Sequence, residues 1–192
     1  KTMNRSLEPV SFIINDQVLD ANVDLELITT RCANVIGEIK SGNRKYRDEY
    51  VVLGAHFDHV GEGGVGSGSR KPDLLQVHPG ADDNASGTSG LLEIAQKLAA
   101  NKSRLKRSVL LIGFDAEEKG LLGSKHFMSN PTVDLNKIIT MINMDMIGRM
   151  KDSSATVGGV GTSPLFEPLI DSLGTDRSFN LSVSSQGFGP SD

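Results

Sequence analysis

Three short, unbroken apolar runs fix most of what this chain can become. They are Tyr50-Val51-Val52-Leu53-Gly54-Ala55, Ser108-Val109-Leu110-Leu111-Ile112-Gly113-Phe114 and Ile138-Ile139-Thr140-Met141-Ile142-Asn143-Met144. A strand with one wet face alternates apolar and polar residues. A continuous run instead predicts a strand covered on both faces, as in a mostly parallel sheet. Parallel neighbours need crossover connections, and helical periodicity lies between the runs. In residues 87–102, Leu91, Ile94, Ala95 and Leu98 follow i, i+3, i+4, i+7 spacing. Residues 120–129 and 163–173 are shorter helix candidates, the latter with Pro164 in its first turn. The alternation predicts an α/β fold, a mostly parallel twisted sheet flanked by helices.

The first fifty residues read differently. Val23, Leu25 and Leu27 alternate with Asp24, Glu26 and Ile28, and Asn34-Val35-Ile36-Gly37-Glu38-Ile39 follows. This predicts a hairpin or sheet edge, with turn signals at Ser41-Gly42-Asn43. Residues 1–50 are therefore expected to be a strand-rich lead-in to the sheet, and residues 51–192 its main body. The 192 residues amount to a little over one domain of about 150. A chain that is 38% hydrophobic and 23% charged is neither disordered nor fibrous. Twenty basic against 24 acidic residues leave a net charge of −4 with no basic run, which argues against a nucleic-acid partner. Cys32 is the one cysteine, so an intrachain disulfide and a thiolate metal cluster are excluded. No stretch reaches the roughly 18 consecutive apolar residues of a membrane span, and residues 1–9 lack the apolar centre of a signal peptide. The chain opens on Lys1 rather than Met and stops within the loop-like residues 187–192, so a domain incomplete at its C-terminal side is expected.

Each apolar run ends in residues able to hold a metal. His56, Asp58 and His59 follow the first, Asp115, Glu117 and Glu118 the second, and Asp145 the third. A fourth group, Asp82-Asp83-Asn84, precedes the helix candidate at residue 87. Open α/β sheets bind ligands outside the carboxyl ends of their strands, so these groups are placed to meet at one pole. Imidazole with carboxylate oxygen is a ligand mix for zinc and similar divalent ions. Taken singly, each has a plainer reading. His56 fits a hydrogen-bonded structural histidine, Asp82-Asp83-Asn84 a helix cap, and Glu117-Glu118 an acidic first turn. Asp145 resists that treatment, since an ionised carboxylate among Met144, Met146 and Ile147 needs a cationic partner. Gly61-Glu62-Gly63-Gly64-Val65-Gly66 matches a dinucleotide-binding pattern, but no helical period follows it. A loop bordering a cleft is the better reading.

Ala55-His56-Phe57-Asp58-His59, Gly80-Ala81-Asp82-Asp83-Asn84-Ala85-Ser86-Gly87, Asp115-Ala116-Glu117-Glu118-Lys119-Gly120-Leu121-Leu122-Gly123-Ser124 and Asn143-Met144-Asp145-Met146-Ile147-Gly148 resemble the successive motifs of the co-catalytic di-zinc aminopeptidases, peptidase family M28. That family also holds glutamate carboxypeptidase and glutaminyl cyclase relatives. The resemblance covers about residues 51–192 and implies a truncated metallopeptidase catalytic domain of the zinc-exopeptidase kind, a phosphorylase/hydrolase-like three-layer fold. It implies that His56 and Asp145 bind one of two zinc ions, that Glu118 binds the other, and that Asp83 bridges them. Asp58 would orient His56, and Glu117 would be the general base. A cis peptide is implied after Asp83. The second zinc would take a further histidine beyond Asp192, a position that His59, His78 and His126 do not match.

The implied activity is zinc-dependent exopeptidase, foremost an aminopeptidase acting on a peptide with a free N-terminus. Glutamate-carboxypeptidase-like or cyclase-like chemistry is the alternative within the family, and a catalytically silent binding module the alternative outside it. His56 favours two metals over the cyclase branch, which resembles a one-metal site. The same resemblance implies export, to the periplasm or beyond the cell. Phe188 in Gly187-Phe188-Gly189 either lines a substrate pocket or sits in a surface turn.

Overall fold

The computed structural model describes residues 11, 13, 15–26, 29–173 and 180–192. The chain divides into two units, Lys1–Arg31 and Cys32–Asp192. In the first, the described residues form no strand, and Val23 and Leu25 are exposed. The strand expected from their alternation is thus not formed; Leu27 and Ile28 lie outside the described residues. Alternation yields a strand only where a neighbour pairs its amides and covers its apolar face, and Val23 and Leu25 have no such cover.

The second unit is built on a four-stranded sheet. Its strands are β1 (Val35–Ile39), β2 (Tyr50–His56), β3 (Ser108–Phe114) and β4 (Ile138–Asn143), in the order β1-β3-β2-β4. β2 runs parallel to both β3 and β4, while β1 is antiparallel to β3 at the edge. The three parallel strands are the three apolar runs, each within a residue or so of its expected bounds. The helices are α1 (Ala85–Ala100), α2 (Leu122–Ser129) and α3 (Phe166–Leu173), and a parallel pair, β5 (Ser154–Val157) with β6 (Asn180–Val183), forms a second small sheet.

Both faces of β2 and β3 are covered, as expected of continuous apolar strands, whereas β4 at the sheet edge is not: Ile139, Met141 and Ile142 are exposed. Val52, Leu110, Ile112 and Phe114 point to one side, where Phe127 of α2 packs on them. Leu53, Ala55 and Val109 point to the other, against Leu91 of α1 with Leu98 alongside. Successive residues of β3 thus alternate between two cores at the period of two that a strand imposes. The result is a three-layer α/β arrangement.

Helix starts depart from expectation for local reasons. α1 begins two residues early because Asn84 caps it, its side chain accepting from the Gly87 amide at 3.0 Å. α2 begins at Leu122 rather than residue 120. Gly120 (φ +99°) and Leu121 (φ +60°) are left-handed and close a turn onto the Glu117 carbonyl instead. α3 begins at Phe166, so Pro164 lies in the preceding turn rather than in the first helical turn. Pro168 has no N–H and stands in the first turn of α3, where none is needed; its ring opposes extending the helix backwards. The glycine-rich stretch after His59 contains turns and an isolated bridge between Gly63 and Leu75, with no helix following it.

Candidate active site

Because β2, β3 and β4 are parallel, their C-terminal ends share one pole. His56 is the last residue of β2, Asp115 to Glu118 follow β3, and Asp145 follows β4. The N-terminus of α1 comes to the same pole, tied there by the Thr88 hydroxyl donating to the His56 carbonyl at 2.9 Å. His56 is 1% exposed, and its Nε2 makes no hydrogen bond. Around that nitrogen stand Asp83 Oδ1 at 3.3 Å, Asp145 Oδ1 at 3.5 Å and Glu117 Oε2 at 3.9 Å. Beside them, Glu118 Oε1 lies 2.7 Å from His59 Nδ1, and neither atom makes a hydrogen bond.

Three adjacent residues before α1 do three things. Asp82 turns away and holds the loop after Asp145, accepting from the Gly148 amide and from Arg149 Nε, both at 2.9 Å. The Arg149 guanidinium holds the Asp82 carboxyl below its usual range. Asp83 faces His56. Asn84, 1% exposed, caps α1 through its Oδ1 and donates from Nδ2 to the Met144 carbonyl at 3.0 Å. The Asp83–Asn84 peptide is cis.

The Asp58 carboxylate accepts from the amides of Glu117 (3.0 Å) and Glu118 (3.2 Å), so it fixes the backbone of both acids. Its nearer contact with His56 is through the backbone: His56 Nδ1 is 3.2 Å from the Asp58 carbonyl and 3.6 Å from Oδ1. Left-handed Ala116 (φ +55°) and Met146 (φ +52°) flank Glu117 and Asp145 and turn the chain sharply at both. Burial pushes the Glu117 carboxyl up to about 7; His56 opposes this, and Asp192, Glu118 and Asp145 add to it. Burial alone would lower the His56 pKa, but the carboxylates of Asp145, Glu117 and Asp58 outweigh it and leave it raised. Burial also raises the Asp192 carboxyl.

The donor set fits divalent metal. A tetrahedral zinc site with bonds near 2.0–2.1 Å spaces its ligand atoms roughly 3.3 Å apart, close to the spacing around His56 Nε2. Two triads qualify, His56 with Glu117 and Asp145, and His59 with Asp83 and Glu118; within each the ligand atoms lie within 4.8 Å of one another. His56, Asp58, Asp83, Glu117, Glu118 and Asp145 are thus brought together. The sequence placed His59 among the metal-capable residues after the first apolar run but gave it no role, and it missed Asp192, whose field reaches Glu117 from the far end of the chain. It also missed Arg149. Phe188 is 97% exposed, a surface position. The loop after His59 borders the site, since its Gly66 and Ser67 carbonyls accept from Lys119, the neighbour of Glu118.

The titrating groups predict a pH signature for the metal-free chain. Glu117 has a folded pKa above its ordinary 4.5, so the folded state binds more protons than the unfolded one between about 4.5 and 7. His56 with a raised pKa likewise contributes stability at low pH that is lost as pH rises. Stability should therefore fall across this window, by about 1–3 kcal/mol from Glu117 after solvent screening, or a few degrees to about 10 °C in Tm. Zinc should flatten the curve, because a cation favours the ionised carboxylates. Scanning calorimetry from pH 4.5 to 8, with chelator and with zinc, checks this; a metal-free curve that rises with pH contradicts it.

Fold and site together define a three-layer α/β domain with a cluster of nitrogen and oxygen donors able to hold a metal at the carboxyl pole of its sheet. The family model for Peptidase family M28 matches residues 34–192, and the chain belongs to that family. It is 34% identical over 134 residues to the aminopeptidase YwaD of Bacillus subtilis, covering 69% of this chain and 26% of that protein. It is 34% identical over 139 residues to the glutamate carboxypeptidase 2 homolog of Caenorhabditis elegans, covering 70% of this chain and 16% of that one. Among solved structures, a zinc aminopeptidase of Bacillus subtilis aligns with a TM-score of 0.58 at 29% identity, over 82% of this chain and 35% of that chain. The chain thus spans about a quarter or less of these two curated relatives and about a third of the solved structure.

Proposed function

We propose that this chain carries the catalytic site of a zinc-dependent aminopeptidase, with residues 51–192 bearing the machinery and residues 1–50 leading into the sheet. The observation that carries the reading is the convergence of Asp83, Glu117 and Asp145 on the buried, unpartnered Nε2 of His56. His56 and Asp145 would hold one zinc, Glu118 the second, and Asp83 both. Bound divalent cations supply Lewis-acid polarisation of the scissile carbonyl and acidify water at the site.

The protein's own groups do the rest. Glu117 takes the proton of the attacking water and passes it to the leaving amine, and its raised pKa suits both steps near neutral pH. Asp58 holds Glu117 and Glu118 by their amides so that the two acids keep separate tasks. Five carboxylates, those of Asp83, Glu117, Glu118, Asp145 and Asp192, make the pole acidic. Two divalent cations would offset most of that charge, so the preference for aminopeptidase over carboxypeptidase action rests on the family resemblance and on the similarity to the aminopeptidase YwaD. No described helix is long and apolar enough to cross a membrane. Export to the periplasm or medium is inferred from the family resemblance.

The test is hydrolysis of an aminoacyl-nitroanilide by the zinc-loaded intact protein, against the same compound acetylated on its α-amine. Cleavage of the free amine only, abolished by chelator, is expected. A protein that takes up no zinc and cleaves neither compound overturns the reading.

A further inference from the structure

We propose that Arg149 forms a carboxylate-binding subsite beside the metal-capable residues, so that the preferred substrates are peptides carrying a carboxylate near the scissile bond; that the ligand is a peptide rests on the aminopeptidase reading above. A cavity of about 430 Å³ lies between the loop before α1 and the loop after Asp145, within the range of small-molecule sites. Its wall includes Asp82, Asp83, His59 and Arg149. Asp83 also stands 3.3 Å from His56 Nε2, so a molecule seated in the cavity touches the group of side chains proposed to hold the cations.

Among the described residues lining the cavity, Arg149 is the one permanent cation, and its side chain is 77% exposed. It is aimed rather than free to swing. Nε donates to Asp82 Oδ2 at 2.9 Å, and the Asp82 carboxylate, only 14% exposed, accepts in turn from the Gly148 amide at 2.9 Å. Gly148 lies so close that a Cβ there would meet Ser86 Cβ at 2.9 Å and Asp82 Oδ1 at 3.0 Å. A guanidinium carries five N–H donors, and Nε accounts for one. Nη1 and Nη2 have no hydrogen-bond partner among the described residues.

A clamp on Asp82 alone needs one donor. A guanidinium held at Nε still presents the paired N–H groups of its Nη end, whose planar spacing matches the two oxygens of a carboxylate. Lys119, beside Glu118, is already engaged by the Gly66 and Ser67 carbonyls. Asp82 cancels much of the Arg149 charge at long range, so the subsite selects by short, directed hydrogen bonds rather than by steering. The plain alternative is a surface arginine that only ties two loops together, which would leave the enzyme indifferent to a carboxylate on its substrate.

Two peptide pairs test this on the intact zinc-loaded protein, Leu-Gly against Leu-glycinamide for a terminal carboxylate and Leu-Asp-amide against Leu-Asn-amide for a side-chain one. In at least one pair the carboxylate member is expected to have the higher kcat/KM by about 10–100-fold, mostly through KM, the size of a hydrogen bond to a charged group. Arg149→Gln should bring that ratio towards one, and Arg149→Lys, which keeps the charge without the paired donors, should restore it only in part. Damage to the loop would slow both members of a pair and leave the ratio alone. The pair that responds identifies which carboxylate is bound. The same ratios, read as calorimetric affinities in zinc-loaded Glu117→Gln protein, keep binding apart from turnover. Equal values within both pairs, or a preference that survives Arg149→Gln, overturns the inference and leaves the aminopeptidase reading standing. A preference in affinity that Arg149→Gln abolishes, in a protein that cleaves none of the four peptides, upholds the subsite and overturns the aminopeptidase reading instead.

Discussion

Glu117→Gln is expected to lower kcat by about 10²–10⁴-fold with bound zinc unchanged. The prediction rests on position. The Glu117 amide is fixed by Asp58 Oδ1 at 3.0 Å, left-handed Ala116 turns the chain just before it, and the side chain is only 12% exposed. Its carboxyl stands 3.9 Å from His56 Nε2, further than Asp83 or Asp145. A base is most effective when its pKa lies near the working pH, and burial brings Glu117 to about 7. Glutamine keeps the shape and the packing but takes no proton. Since the lost interaction belongs to proton transfer, kcat and kcat/KM should fall together while KM stays put. Metal analysis separates this from the competing assignment. Glu117 also forms a candidate triad with His56 and Asp145, and a glutamine that lost one equivalent of zinc would make it a ligand rather than a base.

The parallel core was legible in β2 and β3 because burial on both faces writes itself into the sequence as unbroken apolar runs; the run of β4 marked a strand but not its burial, since Ile139, Met141 and Ile142 are exposed at the sheet edge. Val109 and Leu110 face opposite layers, so neither could be polar. The convergence of His56, Glu117, Glu118 and Asp145 was legible for a related reason: parallel strands put their carboxyl ends together whatever the loops do. What failed to show depended on backbone direction at single residues. Asp82 and Asp83 are chemically alike, and only the turn into α1 decides that one meets Arg149 and the other His56. His59 was set aside because it stands next to the motif rather than at a spacing the resemblance prescribes. The alternation of Val23 and Leu25 misled because periodicity states what a strand would bury, not whether a neighbour is there to bury it.

Asn84→Ala should be the most damaging substitution that removes no proposed ligand, lowering stability by about 3–4 kcal/mol and Tm by roughly 6–15 °C. One buried amide makes three links. Its Oδ1 accepts from Gly87, starting α1, and from Met146 at 3.3 Å; its Nδ2 donates to the Met144 carbonyl. The cap alone is worth about 0.5–2 kcal/mol, and the Met144 carbonyl and Met146 amide would lose a partner in a place water reaches poorly. No other side chain can slide in, because α1 lies so close to β4's exit that a Cβ at Gly87 would sit 2.2 Å from the Met144 carbonyl. These links also join the segment carrying Asp83 to the one carrying Asp145, so zinc affinity should drop about tenfold or more, as for other contacts that hold a ligand in place. Asn84→Asp distinguishes the cap from the strap. It keeps an acceptor for Gly87 and Met146 but sets an oxygen against the Met144 carbonyl. Calorimetry with zinc titration should find it as impaired as the alanine in metal affinity. If Asn84→Asp instead kept both full stability and full zinc binding, Asn84 would be a helix cap alone, and the alignment of Asp83 with Asp145 would have to come from elsewhere in the fold.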